Sequence, residues 1–476
     1  MSPVACLCAL LFPSPPKMAL DNPYAQFTDR WHQAAKGLGA SSYSLVVVKD
    51  GKVALLESWG YRDLEQSKAA DPDTCYYIAS LTKTYTALAV TKLEEQGKLN
   101  VKDPVTKYLP WFKLSKAPKQ AVTVEDLLSH RLGIDCSQAV LLDAYTGEIT
   151  EDRYRHWLGT TGIAADRTAY SNVHFTLLGR IIEKVTGKDW RVALEDIVFK
   201  PLGLTNTTAF ASSMYGRDNC AAPLMMSAGS FQYAKPVKID STMHAAGGMG
   251  TTARDLGKYI TNLLSSNLGG RLFTRLSTGT PNGSIRIRDG FARAWSTGSY
   301  RKLTPLLTHG GGYAGAASMV AMLPEKGIGF GLLVNGDGPA SALEAIIMLD
   351  VFDHELGLKG QADLLPDYLI EAAAYYDKKP TPKTNLAFQP ILIVDVKQIA
   401  GTYTNKHLGK LTFEVVDGLF VAKLGHFTLD LKQENGAFTL VGERLGTSLK
   451  PIVKDNRLLG FTLTWYGRSD DFLKTS

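Results

Sequence analysis

Cysteine is scarce in this sequence, which has five cysteines among 476 residues. They are Cys6, Cys8, Cys75, Cys136 and Cys220, and only the first two lie close together in the chain. An odd number of widely spaced cysteines supports neither a disulfide framework nor a zinc site. We therefore expect a fold without cross-links, and we predict no metal or other cofactor.

The sequence also lacks any block of like charge. Its 52 basic and 46 acidic residues give a net charge of +6, and both kinds are scattered along the chain. Nucleic-acid-binding proteins usually carry a basic patch or stripe, so we expect no nucleic-acid partner. Scattered charges of both signs are typical of a solvated surface.

Long apolar runs are missing as well. No window approaches the roughly 20 apolar residues of a membrane-spanning helix, so we expect no membrane span. Residues 4–12 are apolar and resemble the core of a secretory signal, but no basic segment precedes them and Pro13 follows directly. Met18 is an alternative start that would remove them. We interpret residues 1–24 as a tail and favour a cytoplasmic protein, with secretion as the alternative.

What the sequence contains is a clear succession of secondary-structure patterns. In chain order they predict a β-hairpin at residues 43–59, a helix at 78–97, mainly helical segments at 121–285, strands at 310–334 and a helix at 342–356. Strands at both ends of a helical stretch indicate one sheet with an insertion. We therefore predict an α/β fold, in the form of an α+β sandwich, with an antiparallel sheet flanked by helices and an inserted helical subdomain.

A second, smaller domain is predicted at the C-terminal end. The first domain covers residues 25–358 and includes the helical insert at about 121–285. Residues 359–392 contain Lys378-Lys-Pro-Thr-Pro-Lys383 and are typical of a linker. Residues 393–476 then show short alternating runs separated by turns, which predicts a small all-β barrel.

The clearest chemical motif is Ser80-Leu81-Thr82-Lys83, a Ser-x-x-Lys pattern at the start of the predicted helix. An offset of three helical residues places the lysine amine on the same face as the serine hydroxyl. A buried lysine of lowered pKa can take the hydroxyl proton and activate the serine. The pattern also occurs by chance at residues 14–17 and 299–302, but only Ser80 begins a long helix.

Tyr170-Ser171-Asn172 forms a second motif, directly before the helical pattern at residues 173–185. A loop at the entrance of a helix can line a cleft. Capping of the helix by Ser171 or Asn172 is the alternative interpretation, because these residue types are preferred at helix N-termini.

His309-Gly310-Gly311-Gly312 begins the late strand region and forms the third motif. Glycines there would let a substrate backbone approach the strand edge and bind by strand addition. A flexible glycine turn beside a surface histidine is the alternative.

Together these three motifs resemble the class C β-lactamase and D,D-peptidase superfamily. Three further stretches carry the resemblance, namely Gly97-Lys-Leu-Asn-Val-Lys-Asp-Pro104, Glu125-Asp-Leu-Leu-Ser-His130 and Gly247-Gly-Met-Gly-Thr-Thr252. The similarity covers residues 25–355 and implies that this part is a catalytic domain. The terminal part resembles the lipocalin-like domain of some members.

The resemblance implies roles for the motif residues. Ser80 would be the acylated nucleophile, Lys83 its proton partner, and Tyr170 the group that relays protons to the leaving group and later activates water. Asn172, His309, Gly311 and Gly312 would bind the substrate. The backbone amides of Ser80 and Gly312 would form the oxyanion hole.

One residue departs from the β-lactamase pattern, and this difference determines which activity we predict. His309 stands where β-lactamases carry lysine, which resembles the D-aminopeptidase, esterase and transesterase branches. We therefore predict a serine hydrolase or acyltransferase acting on a small-molecule amide, ester or thioester through an acyl-enzyme. A true class C β-lactamase and a catalytically silent binding or scaffold member are the alternatives. His130 is expected to be a packing or hydrogen-bonding residue, and the sequence does not define the oligomeric state.

Overall fold

The structure is a computed structural model of the chain. It describes residues 22–227, 229–265, 269–359, 363–377, 399–416, 419–434, 437–441, 448–455, 457–465 and 467–475. Residues 1–21 of the predicted tail, with Cys6 and Cys8, and residues 360–362 and 378–392 of the predicted linker lie outside this description, as do residues 393–398 of the predicted barrel.

The regular elements are named here in chain order. The helices are α1 (Ala25–Gly37), α2 (Thr82–Glu95), α3 (Val105–Tyr108), α4 (Val124–Leu128), α5 (Ser137–Leu141), α6 (Glu151–Thr161), α7 (Asn172–Thr186), α8 (Trp190–Leu194), α9 (Lys200–Leu202), α10 (Ala211–Tyr215), α11 (Ala253–Ser265), α12 (Gly269–Phe273), α13 (Leu343–Glu355) and α14 (Leu365–Asp377). The strands before residue 378 are β1 (Ser42–Lys49), β2 (Lys52–Gly60), β3 (Tyr76–Tyr77), β4 (Gly133–Asp135), β5 (Ile163–Ala165), β6 (Leu224–Ser227), β7 (Ser230–Tyr233), β8 (Gly250–Thr251), β9 (Ser277–Asn282), β10 (Arg286–Phe291), β11 (Ser296–Tyr300), β12 (Thr304–Tyr313), β13 (Ala316–Leu323) and β14 (Ile328–Asn335).

An eight-stranded antiparallel sheet lies at the centre of the first domain, in the order β2-β1-β14-β13-β12-β11-β10-β9. Successive side chains of a strand point to opposite faces. In β1, Val46 and Val48 enter the core shared with α2 and α11, whereas Leu45 and Val47 enter the core shared with α1 and α13. Both faces of the sheet are covered, which explains why β1 is apolar almost throughout.

The predicted fold class is confirmed. The hairpin predicted at residues 43–59 is β1 and β2, and the closing helix predicted at 342–356 is α13. Most of the helices lie between β2 and β9, as the predicted insertion requires. Within the predicted linker, however, residues 365–377 form α14, which contacts α1. The division of the chain into domains remains our proposal.

The C-terminal part is a second eight-stranded antiparallel sheet that curls into a half-barrel. Its strands are β15 (Gly401–Asn405), β16 (Gly409–Val416), β17 (Leu419–Leu424), β18 (Phe427–Glu434), β19 (Ala437–Val441), β20 (Ser448–Lys454), β21 (Arg457–Trp465) and β22 (Arg468–Lys474). They are ordered β19-β18-β17-β16-β15-β22-β21-β20.

This sheet packs against the helical part of the first domain. The Trp157 indole donates a hydrogen bond to the His407 carbonyl at 3.2 Å. The Tyr145 ring lies 5.0 Å from that of Trp465 and 5.8 Å from that of Phe427, between centroids. Buried side chains of the two parts form one continuous core. Among the described residues, no helix is both long and apolar enough to cross a bilayer.

Candidate active site

Ser80 lies in a strained turn at the entrance of α2. Residues Ala79–Leu81 form a single 3-10 turn that continues directly into the helix, close to the start predicted from sequence. Ala79 has φ 44°, in the left-handed region that a side chain disfavours. Such a conformation costs on the order of 1 to 3 kcal/mol and is found mainly at functional sites. The turn therefore holds Ser80 in a position that an unstrained helix start would not give.

Lys83 reaches Ser80 from the next helical turn. Its amine is 3.0 Å from Ser80 Oγ, 2.8 Å from Asn172 Oδ1 and 2.5 Å from the Ala246 carbonyl oxygen. The side chain is fully buried, and burial lowers the pKa of the amine well below its ordinary value of 10.5. A neutral amine has two N–H groups and one lone pair. Asn172 and Ala246 can accept the two N–H groups, which leaves the lone pair for the Ser80 hydroxyl proton.

Tyr170 lies on the loop before α7 and lines the cleft beside Ser80. The centroid of its ring is 4.8 Å from Lys83 Nζ. Burial raises the pKa of the phenol to about 12, although a hydrogen bond to Ser80 opposes the shift. The residue as a whole is 46% exposed, which is consistent with its place in the cleft wall. The phenol is therefore neutral at pH 7.

Ser171 and Asn172 each take one of the two roles that the sequence left open, helix capping and a position in the candidate site. Ser171 caps α7, since its side chain accepts from the Val173 amide at 3.2 Å. Asn172 is the first residue of the helix and directs Oδ1 to Lys83. Capping and site formation therefore coexist in adjacent residues.

A pair of buried histidines supports this loop. His130 Nδ1 lies 2.8 Å from His174 Nδ1 and accepts from the Ser171 amide at 3.3 Å, while His174 Nε2 accepts from the Ile134 amide at 3.3 Å. These contacts assign the His174 proton to Nδ1 and the His130 proton to Nε2. Burial lowers the pKa of both rings, so the pair is neutral at pH 7. His130 is thus the hydrogen-bonding residue that the sequence predicted, and His174 is a supporting residue that the sequence analysis missed.

The third motif forms a free strand edge beside Ser80. β11 pairs with β12 only as far as Thr308, whereas β13 pairs with β12 through Tyr313. A side chain at Gly311 would collide with the Ile78 carbonyl oxygen, but one at Gly312 would meet nothing within 4 Å. Gly311 is therefore required for close packing of the strand on the Ser80 turn, and the stretch is an ordered strand, not a flexible turn.

His309 contributes no positive charge to the site. The ring is 6% exposed, and its Nδ1 lies 2.8 Å from the Gly310 carbonyl oxygen, which assigns a proton to Nδ1. Burial, with the nearby Lys83, lowers the pKa of His309 to about 3. A neutral imidazole therefore stands at this position at physiological pH.

A cleft of about 810 Å³ opens over these groups. Of the predicted site residues, Ser80, Tyr170, His309 and Gly312 line it, whereas Lys83, Asn172 and Gly311 do not. The other lining residues are Asn282, Gly283, Ser284, Ile285, Arg286, Arg288, Phe291, Ser296, Thr308, Gly310, Met319, Ala345, Leu349, Leu364 and Tyr368. The structure thus brings all three motifs to one cleft. Among the described residues, no group of His, Cys, Asp and Glu side chains is arranged to hold a metal ion.

Comparison with known proteins agrees with this geometry. A family model described as Beta-lactamase matches residues 28–351. The chain belongs to the beta-lactamase family. The resemblance predicted from the motifs is thereby confirmed, and family membership supports an enzyme of the hydrolase type.

Curated relatives of this beta-lactamase-family chain include two Staphylococcus aureus proteins. Protein flp of strain NCTC 8325 is 28% identical over 303 residues, which cover 61% of this chain and 59% of the relative. A teichoic acid D-alanine hydrolase is 29% identical over 230 residues, which cover 46% of this chain and 53% of that protein. The chain therefore spans 53% to 59% of the length of these relatives.

Among solved structures, an octameric penicillin-binding protein homologue from Pyrococcus abyssi is similar over almost the whole chain. The match has a TM-score of 0.60 and 21% sequence identity, and it covers 95% of this chain and 99% of that one. At this identity the match supports the fold, including the presence of the C-terminal sheet.

Proposed function

We propose that this chain is a serine hydrolase that forms an acyl-enzyme at Ser80 with a small amide, ester or thioester. The observation that carries the proposal is the 3.0 Å contact between Lys83 Nζ and Ser80 Oγ. Burial of the amine and its two fixed acceptors leave its lone pair directed at the hydroxyl. This is the arrangement that a general base for a serine nucleophile requires.

In the first half-reaction, Ser80 Oγ bonds to the carbonyl carbon of the substrate while its proton passes to Lys83 Nζ. The carbonyl oxygen becomes an oxyanion that the backbone amides of Ser80 and Gly312 stabilise, and such a donor contributes about 3 kcal/mol. When the intermediate collapses, the bond to the leaving group breaks. The neutral phenol of Tyr170 gives that group its proton and regains one from the Lys83 ammonium.

In the second half-reaction, water attacks the acyl carbon and its proton passes through Tyr170 to Lys83. The bond to Ser80 Oγ then breaks, Lys83 returns the proton to Ser80, and the acid leaves. An alcohol or amine in place of water would give acyl transfer by the same steps. The relative named as a teichoic acid D-alanine hydrolase supports a D-amino acid ester as a substrate to test.

A true class C β-lactamase is the second candidate. The neutral His309 weakens it, because that position supplies no fixed positive charge for the carboxylate of an antibiotic. Turnover of a chromogenic cephalosporin at a rate that exceeds turnover of simple esters would favour the β-lactamase. The third candidate is a binding protein without catalytic activity. The intact set of Ser80, Lys83 and Tyr170 argues against it, since folding alone does not require all three side chains.

The proposal is tested with a fluorophosphonate probe, which phosphonylates an activated serine and loses fluoride. We expect one added mass per chain, located by peptide mapping at Ser80 and absent in Ser80→Ala. Ser265→Ala is the matched control, because Ser265 is an exposed serine on α11 whose hydroxyl donates to the Thr261 carbonyl oxygen at 2.7 Å. Labelling that persists in Ser80→Ala, or no labelling of the native chain, would refute the proposal.

A further inference from the structure

The cleft at Ser80 has a polar end and an apolar end, on opposite faces of the sheet. Ser80 and His309 line the polar end, on the face that carries α2. Met319 and Leu349 line the other end, and both belong to the core shared with α1 and α13. Because β11 stops pairing with β12 at Thr308, the cleft passes around this edge of β12. A molecule bound at Ser80 can therefore extend to an apolar surface beyond the strand.

The helix α14 supplies part of that apolar wall. Leu364, directly before the helix, and Tyr368, in its first turn, line the cleft and pack against the core shared with α1 and α13. The stretch matched by the beta-lactamase family model ends at residue 351, before α14 begins. This part of the cleft wall is therefore an addition of this chain to the matched stretch.

Packing against α1 fixes the position of α14. The Tyr376 hydroxyl donates a hydrogen bond to the Leu38 carbonyl oxygen, at the end of α1, at 3.0 Å. A side chain in place of Gly37 would collide with Leu369, so the two helices lie in direct contact. Tyr368 consequently has a defined place in the cleft wall.

The arginine in this part of the cleft has partners within the chain. Burial raises the pKa of the Glu344 carboxyl on α13 well above its ordinary value, and the positive charge of Arg286 opposes that rise. The Arg286 guanidinium also lies 3.8 Å from the sulfur of Met319. Because Arg286 interacts with these groups, the wall formed by Leu349, Leu364 and Tyr368 suits an uncharged, apolar part of a ligand.

The leaving group is the half of the substrate that lies on this side of Ser80. In the proposed mechanism the Tyr170 phenol gives the leaving group its proton, so the two must be in contact. Tyr170 lines the cleft, whereas Asn172 does not. A chain attached to the leaving group can therefore enter the cleft directly.

We propose that the cleft beyond β12 binds an unbranched alkyl chain on the leaving group of the substrate, and that Tyr368 limits the length of that chain. Transfer of apolar groups from water to an apolar wall favours binding by about fourfold for each methylene group. Met319 adapts readily to the shape of such a chain, since its thioether side chain is flexible. The inference rests on the proposed function, because it defines the substrate as an ester or amide of an alcohol or amine with an apolar chain.

A series of 4-alkylphenyl acetates, from methyl to octyl, tests the proposal. The alkyl group changes the length of the leaving group but hardly its acidity, and every ester gives the same acetyl-enzyme. We expect kcat/KM to rise about fourfold with each methylene group until the chain reaches Tyr368, and then to level off or fall. Since deacylation is common to all the esters, kcat should stay constant where that step limits turnover.

A second series shows which half of the substrate occupies the cleft. The 4-nitrophenyl esters from acetate to octanoate lengthen the acyl group and keep the leaving group constant. We expect kcat/KM to depend less on chain length in this series. A steeper dependence on the acyl chain than on the leaving group, or no dependence on the leaving group, would overturn the proposal.

Substitutions of Tyr368 should move the length limit in both directions. Tyr368→Ala should raise kcat/KM for the octyl ester relative to the ethyl ester by about tenfold, as expected for two further buried methylene groups, and Tyr368→Trp should shift the optimum to shorter chains. Loosening of α14 would not shorten the optimum in Tyr368→Trp. Ile370→Ala is the matched control and should keep the native profile, because Ile370 lies on α14, is 69% exposed and does not line the cleft.

The inference and the proposed function fail differently. If Ser80 is labelled by the fluorophosphonate but both Tyr368 variants keep the native chain-length profile, the alkyl site is wrong and the acyl-enzyme stands. If Ser80 does not react with the probe or with any ester, both proposals fall.

Discussion

Replacing Lys83 by methionine tests the role of the buried amine most selectively. Methionine is an unbranched apolar side chain that adapts to an irregular buried space, so the change removes the amine with little change of volume. The contacts at 3.0 Å to Ser80 Oγ and 2.8 Å to Asn172 Oδ1 are lost. A general base contributes about 100- to 10,000-fold to a rate, or about 3 to 5 kcal/mol of barrier. We expect the acylation rate of Lys83→Met to fall by that factor.

The same variant should change how stability depends on pH. The pKa of Lys83 is depressed in the folded chain, so between that pKa and 10.5 the unfolded chain binds one more proton than the folded chain. The free energy of unfolding therefore rises with pH in this window, by at most about 1.4 kcal/mol per unit. Lys83→Met lacks this contribution. The stability difference between the native chain and the variant should shift in favour of the native chain from pH 7 to pH 10.

Two measurements follow for this variant. Stopped-flow release of 4-nitrophenolate from 4-nitrophenyl acetate gives the acylation rate, and urea denaturation at several pH values gives the stability. Total stability at one pH is a poor criterion, because the unpaired Asn172 and Ala246 oxygens cost about 1 to 3 kcal/mol each and offset the gain from removing a buried amine. Acylation within tenfold of the native rate, or a stability difference that does not change with pH, would refute the assignment of Lys83 as a neutral base.

Three further predictions concern the surroundings of Ser80. Gly311→Ala should lower the melting temperature and slow acylation at least tenfold, because its methyl group collides with the Ile78 carbonyl oxygen. Gly312→Ala is the control and should keep the native melting temperature, because a Cβ at that position meets no atom within 4 Å. Equal melting temperatures for the two variants would contradict the close packing of β12. The pH profile of acylation should show no limb from His309 between pH 5 and pH 8, since the pKa of that ring is about 3; a limb in that range that disappears in His309→Gln would show that the imidazole ionises there. Trp465→Ala should destabilise the chain by about 3 to 5 kcal/mol, as for other buried aromatic truncations, and should leave one unfolding transition by circular dichroism, because the core is continuous. Two separate transitions in the native chain would mean that the C-terminal sheet folds independently.

The sequence could predict that the three motifs meet at one cleft because each motif is local and together they resemble a known family. Ser-x-x-Lys needs only one helical turn to bring Lys83 to Ser80. The glycines of the third motif were expected to admit a substrate backbone, whereas Gly311 makes room for the Ile78 carbonyl of the chain itself. Even there, the 3-10 turn and the φ of Ala79 at 44° are imposed by tertiary packing and have no signal in local propensity. Periodicity also predicted β1, β2 and α13, whose apolar faces are buried in the two cores.

The features that the sequence did not predict depend on long-range contacts. His174 lies on α7 and contacts His130 in the turn after α4, so only the fold shows that the two rings support Tyr170. The helix α14 lies in a stretch interpreted as part of a linker, because the proline-containing residues beside it dominated that interpretation.

The central claim is that Ser80 carries the acyl group during turnover. Rapid-quench mass spectrometry of the native chain with 4-nitrophenyl acetate tests it directly. We predict an added acetyl mass on the peptide that contains Ser80, formed in a burst and lost at the rate of steady-state turnover. Turnover without an adduct on that peptide, or an adduct on another residue that decays at the turnover rate, would contradict the account.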